Sequence, residues 1–217
     1  MKLPIIKQLK KRDQIETARL QDELMHLLYN VDNSLIIHGG MAIWRCYSGN
    51  RFSVNIDLYS INFPERLTEF QKEIKSNELK LKELKNTGNI LCSNISDNDI
   101  SVKIEINHKY YPENPVEMEY ELIDGNTLNV LTLSAESLIN EKILAYRDRK
   151  FMRDLYDIYV LLKYVDRPET VKSKLLKFIN TLEKPVDENV VKTIVYSGLP
   201  PSYSKMVDYI NQFINST

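Results

Sequence analysis

Three groups of residues have the types and spacing needed for phosphate and metal chemistry. The first is Gly39-Gly40, which stands between a short apolar run and a helical segment. A glycine backbone can approach a phosphate closely, and the free N–H groups of a helix N-terminus can bind it. The second is Asn55 and Asp57, two residues apart in an alternating stretch, and the third is Glu105 in another. Their oxygen atoms suit a divalent cation that holds a triphosphate.

Each of these features also has a plain structural explanation. A glycine pair is more often a tight turn, and a polar position on a strand is more often part of a solvated face. The alternation from Ser53 to Ile61 predicts a strand, and a strand places Asn55 and Asp57 on the same side. We therefore predict a site from the combination of the three features and from no single one.

The elements that must position these residues follow from hydrophobic periodicity. The glycine pair falls between a predicted strand and a predicted helix, and both acidic positions fall on predicted strands. Helices are predicted at residues 13–29, 41–47 and 65–81. Strands are predicted at residues 35–37, 53–61, 84–93 (weak, around a possible turn at 86–89), 100–107, 118–123 and 128–131.

The pattern changes after residue 132, where only helices are predicted. Ser134 is a good N-cap, and Glu136 falls in the first turn, where the helix dipole favours an anion. Helices are predicted at 135–148, 151–164, from Pro168 onward, 188–196 and 202–215. We therefore divide the chain into an α/β part, residues 1–132, which includes the N-terminal helix, and a helical part, residues 133–217.

The order of glycine pair, acidic strand and later carboxylate is typical of polymerase-beta-like nucleotidyltransferases. Two stretches, Gly39-Gly40-Met-Ala-Ile and Arg51-Phe-Ser53-Val-Asn55-Ile-Asp57-Leu, more closely resemble motifs of the AbiEii-type toxin nucleotidyltransferases. Those motifs are Gly-Gly-Thr-Ala-Leu and Arg-x-Ser-x-Asp-x-Asp-Leu. Segments 141–147 and 153–158 resemble the later Lys and Arg-Asp-Leu-x-Asp motifs. The resemblance, over about residues 35–162, implies an α+β fold: a nucleotidyltransferase core with a mixed sheet, followed by a C-terminal helical region.

The resemblance also implies roles for individual residues. The residues implied in catalysis are Asp57, Glu105, Lys142 and Asp154. Those implied in binding the nucleotide are Gly39, Gly40, Arg51, Ser53 and Lys142. Those implied in holding Mg²⁺ or Mn²⁺ are Asn55, Asp57 and Glu105. Without the resemblance, Lys142, Arg147 and Asp154 would be interpreted as surface ion pairs on helices, which contribute little.

The implied activity is transfer of a nucleoside monophosphate from a nucleoside triphosphate to an acceptor hydroxyl. For the family the implied acceptor is RNA, with tRNA 3′ ends as the leading candidate, and the implied protein partner is a winged-helix antitoxin. Basic side chains of the helical part could bind the acceptor's phosphates. They are Lys142, Arg147, Arg149, Lys150 and Arg153.

Two positions depart from the family pattern. Met41 replaces a small hydroxyl residue, and Asn55 stands where the first metal-binding Asp is expected. An amide oxygen can bind Mg²⁺ but brings no negative charge. The enzyme is therefore slow, or degenerate, or carries an inactivating substitution. The alternative function is a degenerate nucleotidyltransferase fold that binds a nucleotide or a protein partner. A helical interaction protein without a site would leave the aligned glycine and polar positions unexplained.

Composition limits the remaining possibilities. The 217 residues carry 29 basic and 30 acidic side chains, a net charge of −1, which argues against unspecific coating of nucleic acid but allows a local basic patch. Cys46 and Cys92 match neither a metal-ligand pattern nor a disulfide framework, so we expect reduced thiols. The first residues contain no continuous apolar segment, so we expect no signal peptide, and no apolar run reaches about 20 residues, the length that crosses a bilayer. We therefore expect a cytoplasmic protein with no membrane partner.

Overall fold

The computed structural model describes residues 3–216, which form two compact units. The first unit consists of the described residues up to Cys46 together with Ser53–Thr132. The second consists of Tyr47–Phe52 and the described residues from Leu133 onward. A short segment ahead of Ser53 thus folds with the C-terminal helices and not with the sheet.

Among the described residues of the first unit, seven strands form one mixed sheet. In chain order they are β1 (Ile36–His38), β2 (Ile56–Tyr59), β3 (Lys80–Asn86), β4 (Ile90–Asp97), β5 (Ile100–Asn107), β6 (Val116–Glu121) and β7 (Thr127–Thr132). Their order across the sheet is β3-β4-β5-β2-β1-β7-β6. Strand β2 runs parallel to β5 and β1 runs parallel to β7, whereas the other neighbours are antiparallel. Strands β5, β2 and β1 therefore lie in the middle of the sheet.

The core of the first unit forms on one face of this sheet. On β5, fully buried Val102, Ile104 and Ile106 alternate with Lys103 and Glu105, so the carboxylate lies on the opposite, polar face. Helix α2 (Arg12–Val31) contacts both β5 and helix α4 (Phe63–Ser76). Burial of this apolar face fixes which side of each central strand is left for polar side chains. The helices of this unit are α1 (Ile5–Gln8), α2 (Arg12–Val31), α3 (Gly39–Arg45) and α4 (Phe63–Ser76).

The second unit is helical throughout its described elements. They are α5 (Ala135–Arg149), α6 (Met152–Leu161) with a following 3₁₀ turn (Leu162–Tyr164), α7 (Glu169–Asn180), α8 (Val191–Ile194) and α9 (Tyr203–Ser216). The hydroxyl of Ser134 accepts a hydrogen bond from Ser137 N at 3.3 Å, so the predicted N-cap of α5 is confirmed. Lys150, with a φ of +53°, ends α5 and lets the chain enter α6 in a new direction.

None of the helices within residues 3–216 is both long enough and apolar enough to span a membrane.

Several predicted elements differ in extent from those in the structure. The strand expected at 53–61 is only Ile56–Tyr59, because the side chain of Gln21 binds the carbonyl groups of Ser53 and Val54, which precede it. The helix expected at 65–81 ends at Ser76, since Glu78 takes a φ of +59° and β3 begins at Lys80. The weak strand expected at 84–93 is divided between β3 and β4, and the turn predicted within it at 86–89 is confirmed around Gly88, whose φ is +90°.

Candidate active site

Asp57 on β2 and Glu105 on β5 are direct partners in the parallel pairing of these strands. Residues paired in register project from the same face of a sheet, and neighbouring strands are about 4.8 Å apart. The same row continues to His38 on β1, the partner of Asp57, and to Cys92 on β4, the partner of Glu105. The structure thus brings together, on the polar face, the two carboxylates that the sequence predicts for the site.

The glycine pair joins this site through Asp57. Gly39 has a φ of +65°, and a Cβ at this position would lie 2.7 Å from Oδ2 of Asp57. The carboxylate therefore lies against the Gly39 backbone at the start of α3, in space that only glycine leaves open. Gly40 follows in the first turn. Met41, where a hydroxyl residue was expected, is fully buried, with Sδ 3.7 Å from the Tyr120 hydroxyl, so its side chain belongs to the core.

We expect Gly39→Ala to lower both stability and activity, and Gly88→Ala to lower stability alone. Both glycines have positive φ, but a Cβ at Gly88 has no atom within 4 Å. The left-handed backbone should cost each variant about 1–2 kcal/mol of unfolding free energy, measured in urea. Only Gly39→Ala must also displace Asp57, which should slow nucleotide transfer about tenfold or more. Full activity of Gly39→Ala would contradict this close approach.

The segment that enters β2 is held by Gln21. This fully buried side chain on α2 donates its Nε2 to the carbonyl of Ser53 at 2.9 Å and to that of Val54 at 2.8 Å. Ser53 is buried, whereas Asn55 is half-buried in a bend directly before β2. Because Asn55 lies outside β2, the two-residue period of the strand does not determine which way its side chain points. This differs from the prediction that Asn55 and Asp57 share one side of a strand. The sequence analysis did not identify Gln21 as a positioning residue. Its signal is a polar side chain at the helical spacing of Leu24 and Leu28, on the buried face of α2.

Lys103 and Cys92 surround Glu105 on the polar face. Lys103, two residues before Glu105 on the same strand, forms an ion pair with it, and the hydrogen bond raises the pKa of the lysine. The Cys92 Sγ lies 4.0 Å from Oε1 of Glu105. Burial, followed by the charge of Glu105, raises the pKa of this thiol, so it stays protonated at neutral pH and is a poor nucleophile. Both Cys92 and Cys46 are free thiols.

A buried ion network lies in the second unit. Asp157 on α6 accepts hydrogen bonds from Arg51 Nε at 2.6 Å and Nη2 at 2.7 Å, and its Oδ2 is 2.8 Å from Lys142 Nζ. Asp154, one turn earlier, is bound by Arg149 through two contacts of 2.8 Å and lies 3.6 Å from Lys142. Both aspartates are fully buried. Three cations therefore meet two carboxylates, and the network keeps one net positive charge.

This network changes the interpretation of several predicted residues. Lys142 and Asp154 are buried, so the explanation of them as surface ion pairs is wrong, whereas Arg147 is exposed. The structure brings Arg51, Lys142 and Asp154 together within the second unit. Asp157 holds Arg51 and Lys142, and sequence reasoning gave it no role. Its signal is the three-residue spacing from Asp154, which places both carboxylates on one face of α6.

The pKa of Asp157 makes the stability of the protein depend on pH. Burial alone would raise this pKa, but Arg51 and Lys142 together outweigh burial and hold it below its ordinary value. A depressed pKa stabilises the fold above the unfolded value of about 3.9, and this contribution is lost as pH falls through the folded pKa. We therefore expect the contribution of Asp157 to the free energy of unfolding to be constant above about pH 5 and to decline below about pH 4.

Urea denaturation between pH 2 and pH 7 measures this dependence. Asp157→Asn should be less stable than the wild type at pH 7, since Arg51 and Lys142 lose a buried counter-charge. Its stability should also fall less steeply below pH 4. Asp148→Asn, an exposed position on α5, should keep the wild-type slope. Parallel pH profiles for Asp157→Asn and the wild type would contradict the assignment.

The family follows from a sequence comparison. A profile described as "Nucleotidyl transferase AbiEii toxin, Type IV TA system" matches residues 26–208, which is most of the chain. The chain belongs to the AbiEii family. It is thus a toxin nucleotidyltransferase with a nucleotide substrate and a cognate antitoxin, and the resemblance drawn from its motifs is confirmed. No curated protein sequence matches the chain.

Solved structures share the fold of this AbiEii-family protein. JHP933 from Helicobacter pylori is 19% identical, with 93% of this chain and 91% of that chain covered and a TM-score of 0.58. MenT4, a nucleotidyltransferase toxin from Mycobacterium tuberculosis H37Rv, is 18% identical, with 94% and 85% covered and a TM-score of 0.62. At such identities the likeness concerns the fold alone. It confirms the predicted α+β class with a mixed sheet and helices.

Nucleotidyltransferases of this family generally use a divalent metal with the nucleoside triphosphate, and the residues present fit that requirement. Within residues 3–216, no three His, Cys, Asp or Glu side chains are grouped to hold a metal by themselves. Mg²⁺, however, is usually bound by one or two carboxylates, and water and substrate phosphates fill its other positions. Asp57 and Glu105 are adjacent and would fit as such a pair, with the amide oxygen of Asn55 as a neutral third candidate.

Proposed function

We propose that this AbiEii-family enzyme transfers a nucleoside monophosphate from a nucleoside triphosphate to a hydroxyl group at the 3′ end of tRNA. The reaction would depend on Mg²⁺ or Mn²⁺ and take place in the cytoplasm, where a winged-helix antitoxin opposes it. The observation that carries this proposal is the in-register pair Asp57–Glu105, with the backbone of Gly39 against the Asp57 carboxylate.

The reaction is an in-line displacement at the α-phosphorus. The acceptor oxygen forms a bond to phosphorus while the bond to the pyrophosphate oxygen breaks. Asp57, Glu105 and Asn55 would hold the divalent ion, which when bound neutralises charge on the triphosphate and the leaving pyrophosphate. Glu105, half-buried on the polar face, is the residue we propose to accept the proton of the acceptor hydroxyl. The first-turn N–H groups at Gly39 and Gly40, with Ser53, would bind phosphate oxygens.

Arg51, Lys142 and Asp154 keep the roles that the family resemblance implies, as proposals. Arg51 and Lys142 would bind phosphates, and Asp154 would serve catalysis. Within the second unit, each has a partner that fixes its position: Asp157 for the two cations and Arg149 for Asp154. A cation held in this way loses little conformational freedom when it binds an anion.

A local basic patch supports RNA as the acceptor. Basic side chains cluster where α5 passes into α6: Arg147, Arg149, Lys150 and Arg153. Burial lowers the pKa of Arg153, and the neighbouring charge of Arg149 lowers it further. Since the chain as a whole has a net charge of −1, this patch is a local feature. Arg149 is paired with Asp154 and Lys150 with Glu183, so Arg147 and Arg153 are the residues of this patch that we propose to bind a phosphate backbone.

Transfer of label to tRNA tests the proposal. The protein is incubated with each of the four α-³²P-labelled nucleoside triphosphates, Mg²⁺ or Mn²⁺, and deacylated tRNA. Label is expected at the 3′ end of the tRNA for at least one nucleotide. Periodate-oxidised tRNA is the matched control, because its terminal hydroxyl groups have been destroyed. Equal labelling of oxidised and intact tRNA, or labelling of protein in place of RNA, would contradict the proposed acceptor.

A further inference from the structure

Three aromatic rings form a continuous row on the face that carries Asp57 and Glu105. His38 stacks on Tyr59, with ring centroids 4.0 Å apart and an angle of 20° between the rings. Tyr110 meets Tyr59 edge-on, with centroids 5.3 Å apart and an angle of 74°. His38 is the strand partner of Asp57, and Tyr59 follows Asp57 by two residues on β2. The row therefore begins directly beside the carboxylate pair.

The segment after β5 is folded so that Tyr110 joins this row. Asn107, the last residue of β5, is the strand partner of Tyr59. Its Oδ1 accepts hydrogen bonds from the backbone N of Lys109 at 3.1 Å and of Tyr110 at 3.2 Å. An amide that binds two successive N–H groups in this way holds the chain in a turn. The place of Tyr110 is thus determined by the sheet itself.

Tyr59, in the middle of the row, is its most buried member, and the outer end at Tyr110 is open. Tyr59 is 9% exposed, whereas Tyr110 is 55% exposed although its ring contacts another ring. Lys109, the neighbour of Tyr110, is also exposed and adds a positive charge. An exposed aromatic face beside a cation is the arrangement on which nucleic-acid bases stack, since every base has a flat π surface.

We propose that the row His38–Tyr59–Tyr110 is a base-stacking subsite, in which Tyr110 receives a nucleobase of the substrate. The inference rests on the proposed function, because it assumes that the reacting phosphate lies at Asp57 and Glu105. Along β2, Asp57 and Tyr59 are about 7 Å apart. The ring of Tyr110 lies 5.3 Å from that of Tyr59, so the sugar and phosphates of one nucleotide would have to span the distance from the carboxylates to Tyr110. The base belongs either to the nucleoside triphosphate or to the 3′-terminal nucleotide of the acceptor. Stacking on Tyr110 supplies affinity for any base and does not by itself select one.

Equilibrium binding tests this subsite and identifies the source of the base. Dissociation constants are measured by calorimetry for ATP, for deacylated tRNA and for inorganic tripolyphosphate, each alone with Mg²⁺. Tyr110→Ala is expected to weaken binding of ATP or of tRNA about tenfold or more, the effect of losing one stacked base. Tyr110→Phe, which keeps the ring, should bind like the wild type. Tyr111→Ala changes the next tyrosine in the same segment and serves as the control for local disturbance.

The outcomes separate the possibilities. Weaker binding of ATP with unchanged tripolyphosphate assigns the subsite to the incoming nucleotide, and weaker binding of tRNA alone assigns it to the acceptor. If Tyr110→Ala binds ATP and tRNA as the wild type does, or loses tripolyphosphate equally, the subsite is overturned while the proposed function stands. If the wild type binds neither tRNA nor any of the four nucleoside triphosphates, the proposed function fails and the subsite fails with it.

Discussion

Asp57→Asn is expected to reduce the rate of nucleotide transfer about a thousandfold, a loss of about 4 kcal/mol of transition-state stabilisation at 1.36 kcal/mol per tenfold. The asparagine fits the same space against Gly39 but removes one of the two adjacent charges that would hold a divalent ion. Charge on the leaving pyrophosphate increases in the transition state, so the lost carboxylate matters more there than in the ground state. The rate constant should therefore fall much further than the affinity for the nucleoside triphosphate.

Matched variants make this result specific to the site. Glu105→Gln should cause a loss of similar size, because Glu105 is the other member of the pair. Asp99→Asn and Glu119→Gln make the same chemical changes at exposed positions and should retain wild-type rates. Circular dichroism and thermal unfolding should give the same fold for all four. An Asp57→Asn rate within tenfold of the wild type would place the chemistry elsewhere in the molecule.

The sequence could predict on which face of its own strand each carboxylate lies, because alternation is a local pattern. Alternation along β2 and β5 places Asp57 and Glu105 opposite the buried Ile and Val side chains of their own strands. It does not say that these two strands are neighbours, and only the register shows that the carboxylates are adjacent. The match to the AbiEii motifs supplied this missing step, since a family pattern carries the topology with it.

Contacts between segments that are distant in sequence could not be predicted from sequence patterns. Arg51 binds Asp157 across 106 positions of the chain, and Gln21 binds the carbonyl of Ser53 across 32. Both contacts depend on how helices pack, which periodicity does not specify. They explain why Tyr47–Phe52 folds with the C-terminal helices, and why the strand expected from Ser53 begins only at Ile56. The position of Asn55 in a bend follows from the same cause.

Asn55 is the position at which the sequence and the proposed chemistry conflict. Two carboxylates at 55 and 57, with Glu105, would place about three negative charges near the metal and triphosphate, and Asn55 removes one of them. The bend before β2 leaves the side chain half-buried and two residues from Asp57. A carboxylate at this position can thus be introduced without disturbing the sheet, because no ladder partner of β2 is changed.

Asn55→Asp is therefore expected to increase nucleotide transfer about a hundredfold or more, as several kcal/mol of electrostatic stabilisation are restored in the transition state. Binding of the nucleoside triphosphate should tighten much less, because the backbone at Gly39 and Gly40 is the same in both forms. The measurement is single-turnover transfer of labelled nucleotide to tRNA, with Asn129→Asp, an exposed position on β7, as the control that adds the same charge elsewhere. In cells, Asn55→Asp should arrest growth more strongly than the wild type, and the cognate antitoxin should relieve the arrest. If neither form transfers nucleotide to tRNA, the proposed reaction is contradicted. If both forms transfer at the same rate, charge at position 55 does not limit the reaction. The metal would then have to be held by Asp57 and Glu105 with substrate oxygens alone.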